Sequence, residues 1–143
     1  MESANLRRTR ERELVLATRA IFDERGVLHA PVEEIARRVG IARGLVYRQF
    51  SSKEELVVLT LTDYLAELEP LLAEARSGAP EPSAQLRETI SVYARFCQRY
   101  PVFLDICLSL LHRPARDLRD VLSDSVWLRL GRSMASCIEH LIE

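Results

Sequence analysis

Residues 35–54 read IARRVGIARGLVYRQFSSKE. Two short helical patterns flank a tight turn at Val39, Gly40 and Ile41. Tyr47 and Phe50, spaced Tyr-x-x-Phe, then lead into a polar cap and the chain's only lysine, Lys53. A brace helix, a glycine-bearing corner and a second helix short enough to enter a major groove are the parts of a helix-turn-helix. This stretch decides the fold and turns the functional reading towards nucleic acid.

Upstream, Leu14, Ala17, Thr18, Ile21 and Phe22 recur at helical spacing, which predicts a first helix from about residue 7 to 25, stopped by Gly26. Pro31 fits the first position of the next helix, with Val32, Ile35, Ala36 and Val39 facing inward. The third helix sends Val46 and Phe50 inward and leaves Arg43, Gly44, Leu45, Tyr47 and Arg48 at or near its outer face. Downstream, SSKEE at residues 51–55 holds a capping box in two registers and starts a fourth helix through Leu56, Leu59, Leu61, Leu65 and Leu68. Pro70 is expected to kink or end it.

Residues 77–82, SGAPEP, read as a linker, with Ser83 as the N-cap of the next helix. Leu86, Ile90, Tyr93, Ala94 and Cys97 mark that fifth helix, stopped at Tyr100 and Pro101. Val102, Phe103, Ile106, Cys107, Leu110 and Leu111 mark a sixth, ended at Arg113 and Pro114. A last apolar pattern runs from Ala115 to the end, and Gly131 is expected to weaken it as one unbroken helix.

Composition agrees with an all-α fold: 48% of the residues are hydrophobic, with 5 glycines and 6 prolines in 143. No apolar run approaches the roughly 18 residues of a membrane span, and the N-terminus is charged rather than signal-like. A cytoplasmic protein with no membrane partner is the expectation. Cys97, Cys107 and Cys137 are too few and scattered for a disulfide framework or a CxxC metal site, so they read as small buried apolar side chains. His112 and His140 lack metal partners at ligand spacing and read as surface or capping residues. No Ser/His/Asp set, phosphate-cradling glycine loop, HExxH motif or paired carboxylates in a cleft is visible. Neither an enzyme, a cofactor nor a metal is therefore expected.

The net charge is −1, but its distribution is uneven. Through Glu55 there are eleven basic and nine acidic residues; from Leu56 onward there are nine basic and twelve acidic. Arg7, Arg8, Arg10 and Arg12 precede the apolar stripe of the predicted first helix, and Arg37, Arg38, Arg43, Arg48 and Lys53 crowd the helix-turn-helix. Local clusters of this kind form a phosphate-binding footprint.

Residues 14–56 resemble the DNA-binding domain of the TetR family of bacterial transcriptional regulators. The resemblance rests on Ala20-Ile21-Phe22 and Arg25-Gly26, then Val32-x-x-Ile35-Ala36, Gly40-Ile41 and Arg43-Gly44. Tyr47-x-x-Phe50-x-Ser52-Lys53-Glu54-x-Leu56 completes it, so that roughly the first 40% of the chain is covered. It implies a head over residues 1–52 and a helical ligand-binding and dimerisation body over residues 53–143.

The resemblance also implies particular DNA contacts. Arg43 would reach a guanine edge or a phosphate, and Gly44 would let the helix approach the groove closely. Tyr47 would give its hydroxyl to a phosphate, while Lys53 would add a cation at the anion-favouring start of helix four. Gln49 stands where the family usually has histidine and can still donate to a phosphate. Arg48 divides between base reading and solvent, as Arg37 and Arg38 divide between phosphate and solvent. Ala30 and Ala42 replace the hydroxyl residues that usually cap helices two and three, forfeiting roughly 0.5–2 kcal/mol each. Leu45 replaces a frequent threonine, so contact there would be apolar, as with a thymine methyl. The leading arginines would form either a minor-groove arm or a solubilising tail.

For the body, the resemblance implies a homodimer on a palindromic operator, with half-sites ~34–36 Å apart. It also implies a pocket for a small apolar effector that releases a repressor from DNA. Tyr93, Phe96, Cys97, Tyr100, Phe103, Leu104, Cys107, Leu108, Leu111 and Trp127 are the candidate lining; the competing reading makes the same stripe core. The alternative function is a DNA-binding regulator whose body serves association alone. The last residues, 136–143, stop in mid-pattern without a cap, and family members are longer, so an incomplete C-terminal end is expected.

Overall fold

The computed structural model describes residues 2–26 and 31–142. Among them the chain forms eight helices and no strand: α1 (Glu2–Arg25), α2 (Val32–Val39), α3 (Arg43–Gln49), α4 (Lys53–Ser77), α5 (Pro82–Arg99), α6 (Pro101–Leu111), α7 (Ala115–Val121) and α8 (Asp124–Ile142). The all-α expectation holds.

Helix α1 starts earlier than the apolar pattern indicates. Its first half is rich in arginine and glutamate, good helix formers, and no glycine or proline interrupts it. Arg7, Arg8, Arg10 and Arg12 therefore lie on the helix rather than ahead of it, which excludes the tail and the extended arm in this structure. Leu14, Val15, Thr18, Ile21 and Phe22 form the buried stripe. Gly26 ends the helix at φ 83°, and its N–H donates to the Phe22 carbonyl at 2.7 Å.

Pro31 is the N-cap of α2, in extended backbone, and not its first helical residue. The expected cap at Ala30 lies outside the described residues. At the other end Gly40 takes φ 82° and donates to Ala36 and Arg37, while the Ile41 N–H reaches the Ala36 carbonyl at 3.0 Å. This left-handed ending satisfies the last carbonyls and sharply redirects the chain into α3.

Ser52 caps α4, accepting the Glu55 N–H at 3.2 Å. The helix then continues through Pro70 to Ser77, so the proline does not end it. Pro70 sits on the exposed side, and fully buried Leu68 and Leu72 on either side of it hold the helix in the core, offsetting one lost backbone hydrogen bond. Pro82, not Ser83, begins α5: Glu81 is its N-cap and Ser83 falls inside the first turn. The last apolar pattern breaks at Leu122 and Ser123 rather than at Gly131, which lies inside α8. Leu122 is extended (φ −109°, ψ 142°), and the Ser123 hydroxyl accepts the Val126 N–H at 3.4 Å, starting α8.

The core is arranged around α4, which packs against α1, α5, α6 and α8. Its aromatic part joins Tyr64, Phe96, Tyr100 and Phe103, with ring centroids 5.0–6.0 Å apart. Arg19 lies 3.9 Å over the Tyr64 ring, donates to Asp63 at 2.9 Å and also pairs with Glu67. A half-buried guanidinium with aromatic and carboxylate partners thus fastens α1 to α4. Cys137 is buried and directs its thiol at the Leu65 carbonyl; burial pushes the Cys107 and Cys137 thiols up to about 11, which keeps them protonated. His112 caps α6 through Nδ1 and the Leu108 carbonyl, 2.6 Å apart, whereas His140 is drawn into a contact with Glu69 at 2.8 Å. No described helix is long and apolar enough to cross a membrane.

Candidate nucleic-acid interface

The site is built by the α2 corner. Val32, Ile35 and Ala36 bury one side of α2, and Val46 with Phe50 buries one side of α3. That packing leaves the opposite side of α3 outward, where Arg43, Gly44, Leu45, Tyr47 and Arg48 are all exposed. Leu45 and Tyr47 are 39% and 49% accessible, high for side chains of their kind and an apolar component on an otherwise cationic face. Ala42 is the N-cap of α3 and makes no side-chain cap bond, as its lack of a hydroxyl requires.

Arg43 is held rather than free. One guanidinium nitrogen lies 2.9 Å from a Glu33 carboxylate oxygen, and the group sits 5.4 Å over the Tyr47 ring. The carboxylate occupies the place that an incoming anion would take. Both partners are more than half exposed, and exposed pairs contribute only ~0–1 kcal/mol, so a phosphate or guanine edge can displace Glu33 at small cost. Stacking on Tyr47 meanwhile preorders the fork.

The two arginines of α2 separate clearly. Arg38 donates to both Glu24 oxygens, at 3.1 and 2.7 Å, and approaches Glu34, so it braces α2 against α1. Arg37 is exposed and has no ion-pair partner among the described residues, as is true of Arg48. Gln49 is engaged within the fold, since its amide donates to the Arg7 carbonyl at 3.2 Å and ties the end of α3 to α1. Lys53 is exposed at the first position of α4, beside Ser52 and next to a shallow recess shared with Arg113. A Cβ added at Gly44 would meet nothing within 4 Å, so the fold itself has no need of glycine there.

The residue that sequence reasoning underrated is Glu55. It is 4% exposed, yet charged: one carboxylate oxygen accepts the Ser51 N–H at 2.9 Å and the other the Ser123 N–H at 2.6 Å. Burial opposes its ionisation, but the hydrogen bonds from Ser123 and Ser51 prevail and hold the carboxyl below its usual range. Ser52 adds a second link, donating its hydroxyl to the Val121 carbonyl at 2.6 Å. The capping box signalled the local bond; nothing in the sequence signalled partners nearly seventy residues away.

The residues of the candidate pocket stripe lie in several different surroundings. A groove of about 690 Å³ runs between α4 and α5 and takes Phe96 and Tyr100 from the stripe. Glu67, Glu74, Glu88, Arg95 and Arg99 give that groove a charged wall. Phe103 is core, Tyr93 points its hydroxyl at the Cys137 carbonyl, and Cys97 and Cys107 are half-buried. Leu104, Leu108 and Leu111 face outward, and Trp127 is half-buried beneath Arg119.

Comparison with known proteins places this geometry. Residues 14–59 match the family model described as bacterial regulatory proteins, tetR family. The HTH-type transcriptional regulator BetI of Escherichia coli is 30% identical over 87 residues, covering 61% of this chain and 45% of that protein. The chain thus spans about half the length of the curated relatives it matches. The crystal structure of the TetR-family regulator PfmR from Thermus thermophilus superposes with a TM-score of 0.61 at 21% identity, over 90% of this chain and 65% of that one. A TetR-family regulator from Marinobacter aquaeolei VT8 gives 0.61 at 15% identity, over 99% and 70%. These likenesses concern the fold, and the family match falls on the helices that carry the exposed α3 face. Residues 14–59 thus carry a helix-turn-helix head of the tetR family of bacterial regulatory proteins.

Proposed function

We propose that this protein is a sequence-specific DNA-binding regulator of transcription that acts in the cytoplasm as a homodimeric repressor. The observation that carries the reading is the α3 face, where Arg43, Leu45, Tyr47 and Arg48 stand exposed on a helix fixed from behind by Val46 and Phe50. An arginine fork, an apolar tip and a phenol are the groups that read base edges and hold phosphate in a major groove. In this reading the head ends at Ser52, Lys53 clamps a phosphate, and two copies of α3 meet palindromic half-sites. Arg37, Ala42, Gly44 and the backbone around them border the same face. Selection from a random duplex pool, followed by footprinting, tests it: a palindromic consensus supports the reading, and recovery of no preferred sequence contradicts it.

How the body controls the head admits two readings. A small apolar effector would act by favouring the non-binding spacing of the two heads, since equal affinity for both spacings shifts nothing. The second reading, a body that serves association alone, draws support from the charged α4–α5 groove and from the outward Leu104, Leu108 and Leu111. Thermal-shift screening with apolar compounds separates them: a saturable rise in midpoint favours the effector.

A further inference from the structure

A second groove, about 430 Å³, lies where α1, α4 and α8 meet. Four arginines converge on it: Arg8 and Arg12 from α1, Arg129 and Arg132 from α8. Two carboxylates share the lining, and both are engaged: Asp63 with Arg12 and Arg19, Glu11 with Arg129 at 2.8 Å. Arg8 and Arg132 face the groove from opposite helices and, among the described residues, neither has an ion-pair partner. The hydroxyl-bearing Thr62 and Ser133 line the same space.

From this geometry we propose that the groove is a binding site for a small multivalent organic anion, a polycarboxylate or a phosphorylated metabolite. The volume lies within the range of small-molecule sites. Guanidinium forks match carboxylate and phosphate oxygens bidentately, and two forks with no internal partner, one from α1 and one from α8, select a ligand with more than one anionic group. Such a ligand bridges α1, a helix of the head, to α8, a helix of the body, and supplies the counter-charge that the local surplus of arginine lacks. The site rests on the lining alone and does not depend on the DNA-binding reading.

Calorimetric titration of the full chain with citrate and with pyrophosphate, at fixed ionic strength, tests it. The expected result is saturable binding of at least one probe to a single site, weakened about tenfold or more by the R8Q/R132Q double variant. Arg8 and Arg132 are exposed, so the variant should unfold at the wild-type temperature; R132K, which keeps the charge but loses the fork, should fall between. Failure of both probes to saturate, or equal binding by wild type and double variant, would overturn the site. So would loss of non-specific duplex binding in the double variant without any citrate or pyrophosphate binding, since the arginines would then serve a DNA backbone.

Discussion

A Glu55 carboxylate oxygen lies 2.6 Å from the Ser123 backbone nitrogen, so the first turn of α4 and the start of α8 share one buried anion. With Ser51 on the other oxygen, the turn before α4 and the start of α8, nearly seventy residues apart, meet at a single side chain. Replacing Glu55 by alanine leaves two amide donors without their acceptor and should lower the unfolding free energy by about 2–4 kcal/mol. Glu55→Gln, which keeps one acceptor oxygen, should cost less. Urea denaturation of both variants checks the order.

The same carboxylate sets a pH dependence. Glu55 is held below the usual range by Ser123 and Ser51 against its burial, and Glu67 likewise by Arg19 and Tyr100. A carboxyl depressed in the folded state contributes stability that is fully present above its unfolded value, about 4.3, and lost as pH falls through the folded value. The urea midpoint should therefore drop on acidification below about pH 4.3, and drop less steeply in Glu55→Gln. Parallel curves for wild type and variant would show that Glu55 is not the titrating link.

Two glycines of the head should respond in opposite ways. Gly40 is at φ 82°, where an L side chain costs about 1–2 kcal/mol even though an added Cβ would touch nothing. Gly40→Ala should lower the melting temperature. Gly44 has ordinary helical backbone and open space around it, so Gly44→Ala should leave the melting temperature unchanged or raised. Its loss should instead appear in DNA affinity, because only an approaching groove makes glycine necessary there.

The head was legible because its signals are local. Gly40, the Tyr47-x-x-Phe50 spacing and the cap at Ser52 each act within one turn of helix, and the structure builds its corner, its exposed face and its α4 start from them. Misreadings arose where tertiary contacts outweighed a local rule. Pro70 is carried through α4 by the burial of Leu68 and Leu72, and the break in the last pattern comes at Ser123, where Glu55 takes the amide, instead of at Gly131. The pocket stripe was legible only in part: apolar spacing reveals that a residue is on a helix face, but not which neighbour that face meets. Arg37 and Arg38, adjacent and alike in sequence, were divided only by the position of Glu24 on α1.

The two arginines of α2 allow a simple separation of roles. Arg38→Ala should disturb the packing of α2 on α1 and lower thermal stability, with Glu24→Ala giving a similar effect and the double variant little more. Arg37→Ala should leave stability unchanged. Melting curves of the four proteins decide it, and additive losses at Arg38 and Glu24 would count against the brace.

The assignment of α3 as the reading helix is tested most directly by duplex titrations of Arg43→Ala and Lys53→Ala across a range of salt. Lys53→Ala should weaken selected and unrelated duplexes alike and reduce the slope of log affinity against log salt by about one. Arg43→Ala should cost the selected duplex roughly 1–3 kcal/mol and spare unrelated duplexes, as expected of a base contact. Wild-type affinity and salt slope in both variants, on both kinds of duplex, would contradict the assignment.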